Sequence, residues 1–196
     1  MKAVLISIKP NWCKLIWSGM KTVEVRKTRP KLETPFRVYI YCTGAESWWM
    51  KLPKAGVQKM DSRVIGEFTC DKIDKLVHVG TMMDINILTL DGWHKPAGEL
   101  LQAACLTEAA AKKYLQGRNG YGWHISDLKI YDNPKPLSYF SKHGFSSLFG
   151  TNVCGNEDCE YYEPSGDRMV PPTCGLNGYC SLHRPPQSWC YVEDGR

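Results

Sequence analysis

The stretch Gly19-Met20-Lys21-Thr22-Val23-Glu24-Val25-Arg26 most constrains what this chain can fold into. Upstream of it, Trp12, Leu15, Ile16 and Gly19 fall at i, i+3, i+4 and i+7, the apolar stripe of a short helix, with Asn11 as its expected N-cap. Gly19 suits the end of that helix because it tolerates positive φ. From Thr22 the period changes to two. Val23 and Val25 point to one face, and Thr22, Glu24 and Arg26 to the other. Any fold that buries the valines therefore sets a carboxylate and a guanidinium side by side, with the Lys21 ammonium at the strand's mouth. The pattern supports two readings: an exposed strand with a Glu–Arg pair, or a grip for a phosphate or a polar base edge.

Strand-like segments dominate the first 140 residues. Residues 3–8, 36–41 and 64–70 are rich in β-branched and aromatic side chains, and the last of these bends toward Val77. Residues 42–60 read as an irregular loop whose Trp48 and Trp49 suit a cleft wall. Residues 78–104 read as loop with a short helix. Thr107 is the expected N-cap of an alanine-rich helix ending at Gly117. Tyr121, Trp123 and Ile125 alternate with Gly122, His124 and Ser126 in a final strand pair or one bent strand, and Asn133-Pro134-Lys135-Pro136 ends it. No βαβ alternation appears. The expected class is therefore α+β, mainly β: a closed or partly closed β-barrel with short flanking helices.

Charge is divided unevenly. Residues 1–150 carry 22 basic and 13 acidic side chains, whereas residues 151–196 carry 3 and 7. A basic N-terminal part is what phosphate binding needs. The apolar opening Ala3–Ile8 stops at Lys9-Pro10, too short for a signal-peptide core or a membrane span, so a cytoplasmic chain is expected.

Gly19, Lys21, Glu24 and Arg26 fit the pattern G-x-K-x-x-E-x-R, which resembles that of the ASCH domain family of the PUA-like superfamily. Ser7-Ile8-Lys9-Pro10 before the helix and Lys27-Thr28-Arg29-Pro30 after the motif look similar too. So do Gly66-Glu67-Phe68 and Tyr121-Gly122-Trp123-His124-Ile125, at the spacing of the longer, phage-associated members. The resemblance covers residues 1–140. It implies a small PUA-like β-barrel whose cleft, lined by the motif, binds RNA or a nucleobase-like ligand. Some small members look like amidohydrolases of acylated cytidines. Those members carry a hydroxyl residue where this chain has Glu24.

Residues 141–150 read as a linker to a segment of different composition. Five of the nine cysteines lie in residues 151–196, spaced C-x4-C, x14, C-x5-C, x9, C. A segment this short buries too little apolar surface to fold alone, and a thiolate-bound metal supplies what the core lacks. It resembles short four-cysteine modules in Cys159-Glu160-Tyr161-Tyr162, Gly178-Tyr179-Cys180 and Trp189-Cys190-Tyr191-Val192. The favoured ligands are Cys154, Cys159, Cys180 and Cys190, with Cys174 as first substitute and His183 next. Structural zinc is the expected metal, ahead of an iron–sulfur cluster. Cys13, Cys42, Cys70 and Cys105 read as small buried hydrophobes.

Three functions compete. In the first, Lys9, Lys21, Arg26 and Lys27 meet phosphates of RNA or a nucleotide, Glu24 accepts from an exocyclic amino group, and Trp48, Trp49 or Trp123 stacks on a base. His124 belongs to the same candidate ligand-binding set. In the second, Lys21 is base or nucleophile, Glu24 shuttles a proton and Arg26 orients the carboxylate or stabilises the oxyanion in hydrolysis of an amide-modified nucleobase. Glu67 or His124 is a further acid–base candidate there. In the third, the cysteine tail docks a protein partner and the chain is an interaction scaffold.

Overall fold

A computed structural model describes residues 2–79, 84–141, 145–148, 151–154, 157, 162–170, 172–174 and 182–193, with backbone only at 145–148, 151–154 and 174. The elements run β1 (Lys2–Ile8), α1 (Pro10–Trp17), β2 (Val23–Arg26), β3 (Phe36–Cys42), β4 (Trp49–Leu52), β5 (Gly56–Lys59), β6 (Arg63–Cys70), β7 (Ile73–Val79), β8 (Asp84–Leu88) and β9 (His94–Pro96). There follow α2 (Gly98–Ala103), α3 (Glu108–Leu115), β10 (Gly120–His124), β11 (Ser126–Lys135), β12 (Phe145–Leu148), β13 (Thr151–Cys154), β14 (Tyr162–Glu163), β15 (Thr173–Cys174) and β16 (Trp189–Glu193). The chain is mainly β with short helices.

The strands form two five-stranded sheets, ordered β11-β6-β3-β1-β16 and β2-β10-β7-β8-β9. A four-stranded sheet β12-β13-β15-β14 and the β4–β5 hairpin complete the described strands. Both faces of the first sheet are covered. Val4, Ile6, Val38, Ile40, Ile65 and Phe68 pack with Cys13 and Ile16 of α1 and with Trp123 of β10. The opposite face, Ala3, Leu5, Tyr39, Tyr41 and Val64, packs against Phe140, Leu182 and Val192. Strands buried on both sides read as continuous apolar runs, which is how β1 looks in the sequence. The second sheet buries Val23, Val25, Leu76, Ile85 and Ile87 beneath α2 and α3. Gly122 sits there because a Cβ would come within 2.9 Å of the Leu100 side chain.

Several local expectations are revised. Helix α1 starts at Pro10 with Lys9 as N-cap, so Asn11 is a helical residue and makes no cap. Proline at the first helical position loses no hydrogen bond and brings the right φ. The expected loop at 42–60 contains the β4–β5 hairpin and buries Trp48. The loop at 78–104 contains β8, β9 and α2 among its described residues. Thr107 caps α3 as expected, its hydroxyl accepting from the Ala110 N–H at 3.2 Å. That helix ends at Leu115, ahead of Gly117, with Gln116 in the left-handed region. Of the two readings of residues 120–131, the strand pair holds, with β10 in the second sheet and β11 in the first. Residues 189–193, read in the sequence as part of the cysteine segment, are an edge strand of the first sheet, antiparallel to β1 with Cys190 opposite Leu5.

Candidate functional site

Gly19 has φ +74° with open space around it, and this left-handed turn carries the chain from α1 into β2. The Lys21 N–H donates to the Leu15 carbonyl and the Thr22 N–H to that of Ala103, so both ends of the turn are tied down. Strand β2 then alternates as the sequence dictates. Val23 and Val25 face α2 and α3, while Glu24 and Arg26 pair in register with Trp123 and Tyr121 of β10. The polar face is buried as well.

Lys21 Nζ donates to the Ala104 carbonyl at 2.7 Å, lies 3.3 Å from Glu24 Oε2 and sits 5.0 Å above the Trp12 ring. Arg26 Nε is 3.0 Å from Glu24 Oε1, an ion pair whose N–H is not aligned for a hydrogen bond. Its Nη2 donates to the Ser7 carbonyl at 2.7 Å and its Nη1 to Ser188 Oγ at 3.4 Å. Each Glu24 oxygen thus faces one cation. A carboxylate offers about four lone-pair sites, so roughly two remain for another donor.

These three residues line a cavity of about 860 Å³. Ser7, Ile8, Lys9 and Trp12 form part of its wall, Leu106, Ala110 and Tyr114 another, and Pro185–Ser188 a third, with Lys27, Thr28 and Thr43 also lining it. Pockets for small ligands span about 300–1,000 Å³. Lys9 is exposed. The Lys27 ammonium lies 5.2 Å from the Tyr114 ring centroid and 3.4 Å from the Gln116 side-chain oxygen. Burial pushes the Tyr114 hydroxyl above its ordinary pKa, with Arg26 pulling the other way.

Of the residues singled out in the sequence, Lys9, Lys21, Glu24 and Arg26 meet at this cavity. Trp123 and His124 do not. Trp123 is fully buried, between Phe36 and Trp189 at centroid distances of 6.0 Å each. His124 points to the opposite face of β10, its Nε2 2.8 Å from Asp74 Oδ2. Burial alone would raise the Asp74 pKa, but hydrogen bonds from Lys72 and His124 outweigh it and hold the carboxyl below its usual value. Trp48 is buried against Trp17, and Trp49 is exposed on the β4–β5 hairpin. Glu67 accepts from the Tyr131 hydroxyl, whose pKa burial and this bond both raise. Trp48, Trp49 and Glu67 do not line the cavity either.

The tail cysteines are less fully described. Cys159 and Cys180 lie outside the described residues. The backbones of Cys154 and Cys174 stand on the paired strands β13 and β15, next to the Val153–Thr173 contact. Cys190 is half-buried on β16 beside the Leu5 cluster, and His183 is exposed. Among the described residues no three potential metal ligands cluster. Cys13, Cys42 and Cys70 are buried, and burial pushes the Cys70 thiol up to about 12. Cys105 is only half-buried, its thiol 3.3 Å from the Met20 carbonyl.

Sequence reasoning missed Tyr114, the Ala104 carbonyl and the whole 185–188 wall. Arg26 and Ser188 are 162 residues apart, and no local pattern announces that contact. Among the described residues, no helix is long and apolar enough to cross a membrane.

No family model and no curated protein matches the sequence. The chain is similar to the crystal structure of the ASCH protein from Zymomonas mobilis at 22% identity, over 69% of this chain and 73% of that one, with a TM-score of 0.46. Two single-substitution variants of the same protein are also similar. One shows 21% identity over 70% and 77% of the chains, with a TM-score of 0.45. The other shows 17% identity over 98% and 89%, with a TM-score of 0.46.

Proposed function

We propose that the cavity binds a nucleotide, either free or as one unit of an RNA strand. One observation carries this reading: Glu24 is held between Lys21 and Arg26 on the floor of an open cavity, with spare acceptor capacity. A fixed acceptor selects a donor edge, such as an exocyclic amino group. Trp12 and Tyr114 offer apolar ring faces beside it. The phosphate role shifts from the expectation for Lys21 and Arg26. Both are occupied by protein carbonyls, Glu24 and Ser188, which leaves Lys9 and Lys27 at the cavity wall for an anion. The resemblance of the Gly19–Arg26 pattern to ASCH domains implies the same ligand class.

Calorimetric titration with nucleosides, nucleoside monophosphates and a short single-stranded RNA tests this. The native chain is expected to bind monophosphates more tightly than nucleosides. Lys9→Ala with Lys27→Ala should erase that difference, and Glu24→Gln should weaken both. Equal, undetectable binding of all three ligand classes would remove the proposal.

The Lys21–Glu24 contact also favours a second reading, hydrolysis of the amide of an acylated cytidine. Glu24 would take a proton as water adds to the acyl carbon. The Lys21 ammonium has three N–H groups; one is spent on the Ala104 carbonyl and one faces Glu24, and the third would face the oxyanion. Glu24 would return the proton to the departing amine as the C–N bond breaks, giving a carboxylate and cytidine. Release of cytidine by the native chain but not by Glu24→Gln distinguishes turnover from binding.

For the tail, we propose a structural zinc on Cys154, Cys159, Cys180 and Cys190, with Cys174 as the substitute. Its support is the cysteine spacing. Elemental analysis should find about one zinc per chain, lost in Cys154→Ser. Buried Cys13, Cys42 and Cys70 should stay unreactive in native thiol labelling, so labelling of every tail thiol would count against the metal.

A further inference from the structure

The wall at 185–188 is clamped on both sides of Gln187. The Pro186 carbonyl accepts from Ser7 Oγ at 2.7 Å, and the Ser188 carbonyl accepts from the Ser7 N–H at 2.9 Å. Ser188 Oγ accepts from Arg26, and the Trp189 indole N–H donates to Thr28 Oγ1 at 3.0 Å. Ser7 and Arg26 are themselves joined at 2.7 Å. The cavity floor and this wall are therefore one hydrogen-bonded unit, although the wall arrives from the far end of the chain.

Gln187 lines the cavity, is exposed, and its side-chain amide makes no hydrogen bond to the described residues. Ser188, the other polar side chain of this wall, spends its hydroxyl on Arg26; Gln187 is not spent in this way. The backbone under Gln187 is already fixed, so a ligand has to order only its side-chain rotamers. Its amide offers an acceptor and two donors, whereas Glu24 is acceptor-only. The two groups together can read a base that Glu24 alone reads only in part.

We infer that Gln187 is a specificity-determining residue of the cavity, reading a donor and an adjacent acceptor on the polar edge of a nucleobase. This rests on the nucleotide-binding reading above. A glutamine amide pairs with such an edge through two hydrogen bonds, as it does with adenine. A carboxylate at the same place accepts only, and would favour an edge with two adjacent donors, such as N1–H and N2–H of guanine.

The test measures Kd for AMP, CMP, GMP and UMP with the native full-length chain, Gln187→Ala and Gln187→Glu, alongside the melting temperature of each free protein. Gln187→Ala is expected to compress the native preference among the four by about tenfold. Gln187→Glu should move the GMP-to-AMP affinity ratio toward GMP by a similar factor, with melting temperatures unchanged. Native discrimination preserved in both variants overturns the role of Gln187 and leaves nucleotide binding standing. A fall in melting temperature shared by both variants, with discrimination intact, makes Gln187 structural and also overturns it. If the native chain binds none of the four, the nucleotide reading fails and this inference falls with it.

Discussion

Two three-charge clusters in this molecule have nearly the same ion-pair distances and opposite settings. Lys21, Glu24 and Arg26 are linked at 3.3 and 3.0 Å; Lys112, Asp84 and Glu108 are linked at 3.0 and 3.2 Å. The first three side chains are at most 9% exposed, and the second three at least 32%. Distance therefore says little about what each cluster does. The outer one bridges α3 to β8 in water, where solvent and side-chain freedom cancel most of the attraction. The inner one has left water, so each charge depends on the others and on the carbonyls of Ser7 and Ala104. The inner cluster also opens onto a cavity, and its fixed charges are already oriented for a ligand.

The contrast can be broken or sharpened by mutation. The largest effect is expected from Glu24→Ala, which strands two buried cations and should cost about 3–5 kcal/mol in a urea titration. A loss below about 1 kcal/mol would mean that the inner cluster behaves like a surface pair. Arg26→Lys comes next. Lysine cannot reach Glu24, Ser7 and Ser188 together, so a loss of about 2 kcal/mol is expected, accompanied by weaker nucleotide binding. Unchanged stability with unchanged binding would show that the guanidinium fork does not hold floor and wall together.

Asp74 lies between the two extremes, partly buried and bonded to Lys72 and His124. Its folded pKa is depressed, so its contribution is present above the unfolded value and is lost as pH falls through the lower folded one. Asp74→Asn should therefore cost about 1 kcal/mol near pH 6 and progressively less below pH 4, until the two stability curves meet. Parallel curves down to pH 2 would refute that assignment. The smallest effect belongs to Lys112→Ala. Hydrogen bonds to Asp84 and then Glu108 raise the Lys112 pKa, yet its ammonium is solvated. The denaturation midpoint should not move beyond repeat error. A clear shift would erase the distinction drawn between the clusters.

Much of the inner site was legible before folding. The switch from period 3.6 to period 2 across Gly19 placed the helix, the turn and the alternation of β2. Glu24 and Arg26 were read as face-mates and Lys21 as their neighbour. Lys9 was chosen from the motif's flank and does line the cavity. Trp123 was misplaced for a specific reason: in a two-residue alternation it shares a face with Glu24, but that face turns from cavity to core along the sheet. His124 was misplaced because the same alternation sends it to the other side, where Asp74 waits.

The sequence by itself determined the directions of the side chains on β2 and the cap at Thr107. These follow from local backbone sterics and short-range hydrogen bonding, which need no partner. Only the tertiary structure decided that the polar face of β2 would be buried, that Lys21 would end on the Ala104 carbonyl, and that residues 185–188 would wall the cavity beside Arg26. Burial and partner choice depend on which surfaces meet across the fold. Hydrophobic packing brings those surfaces together without regard to separation along the chain, so no local pattern encodes them.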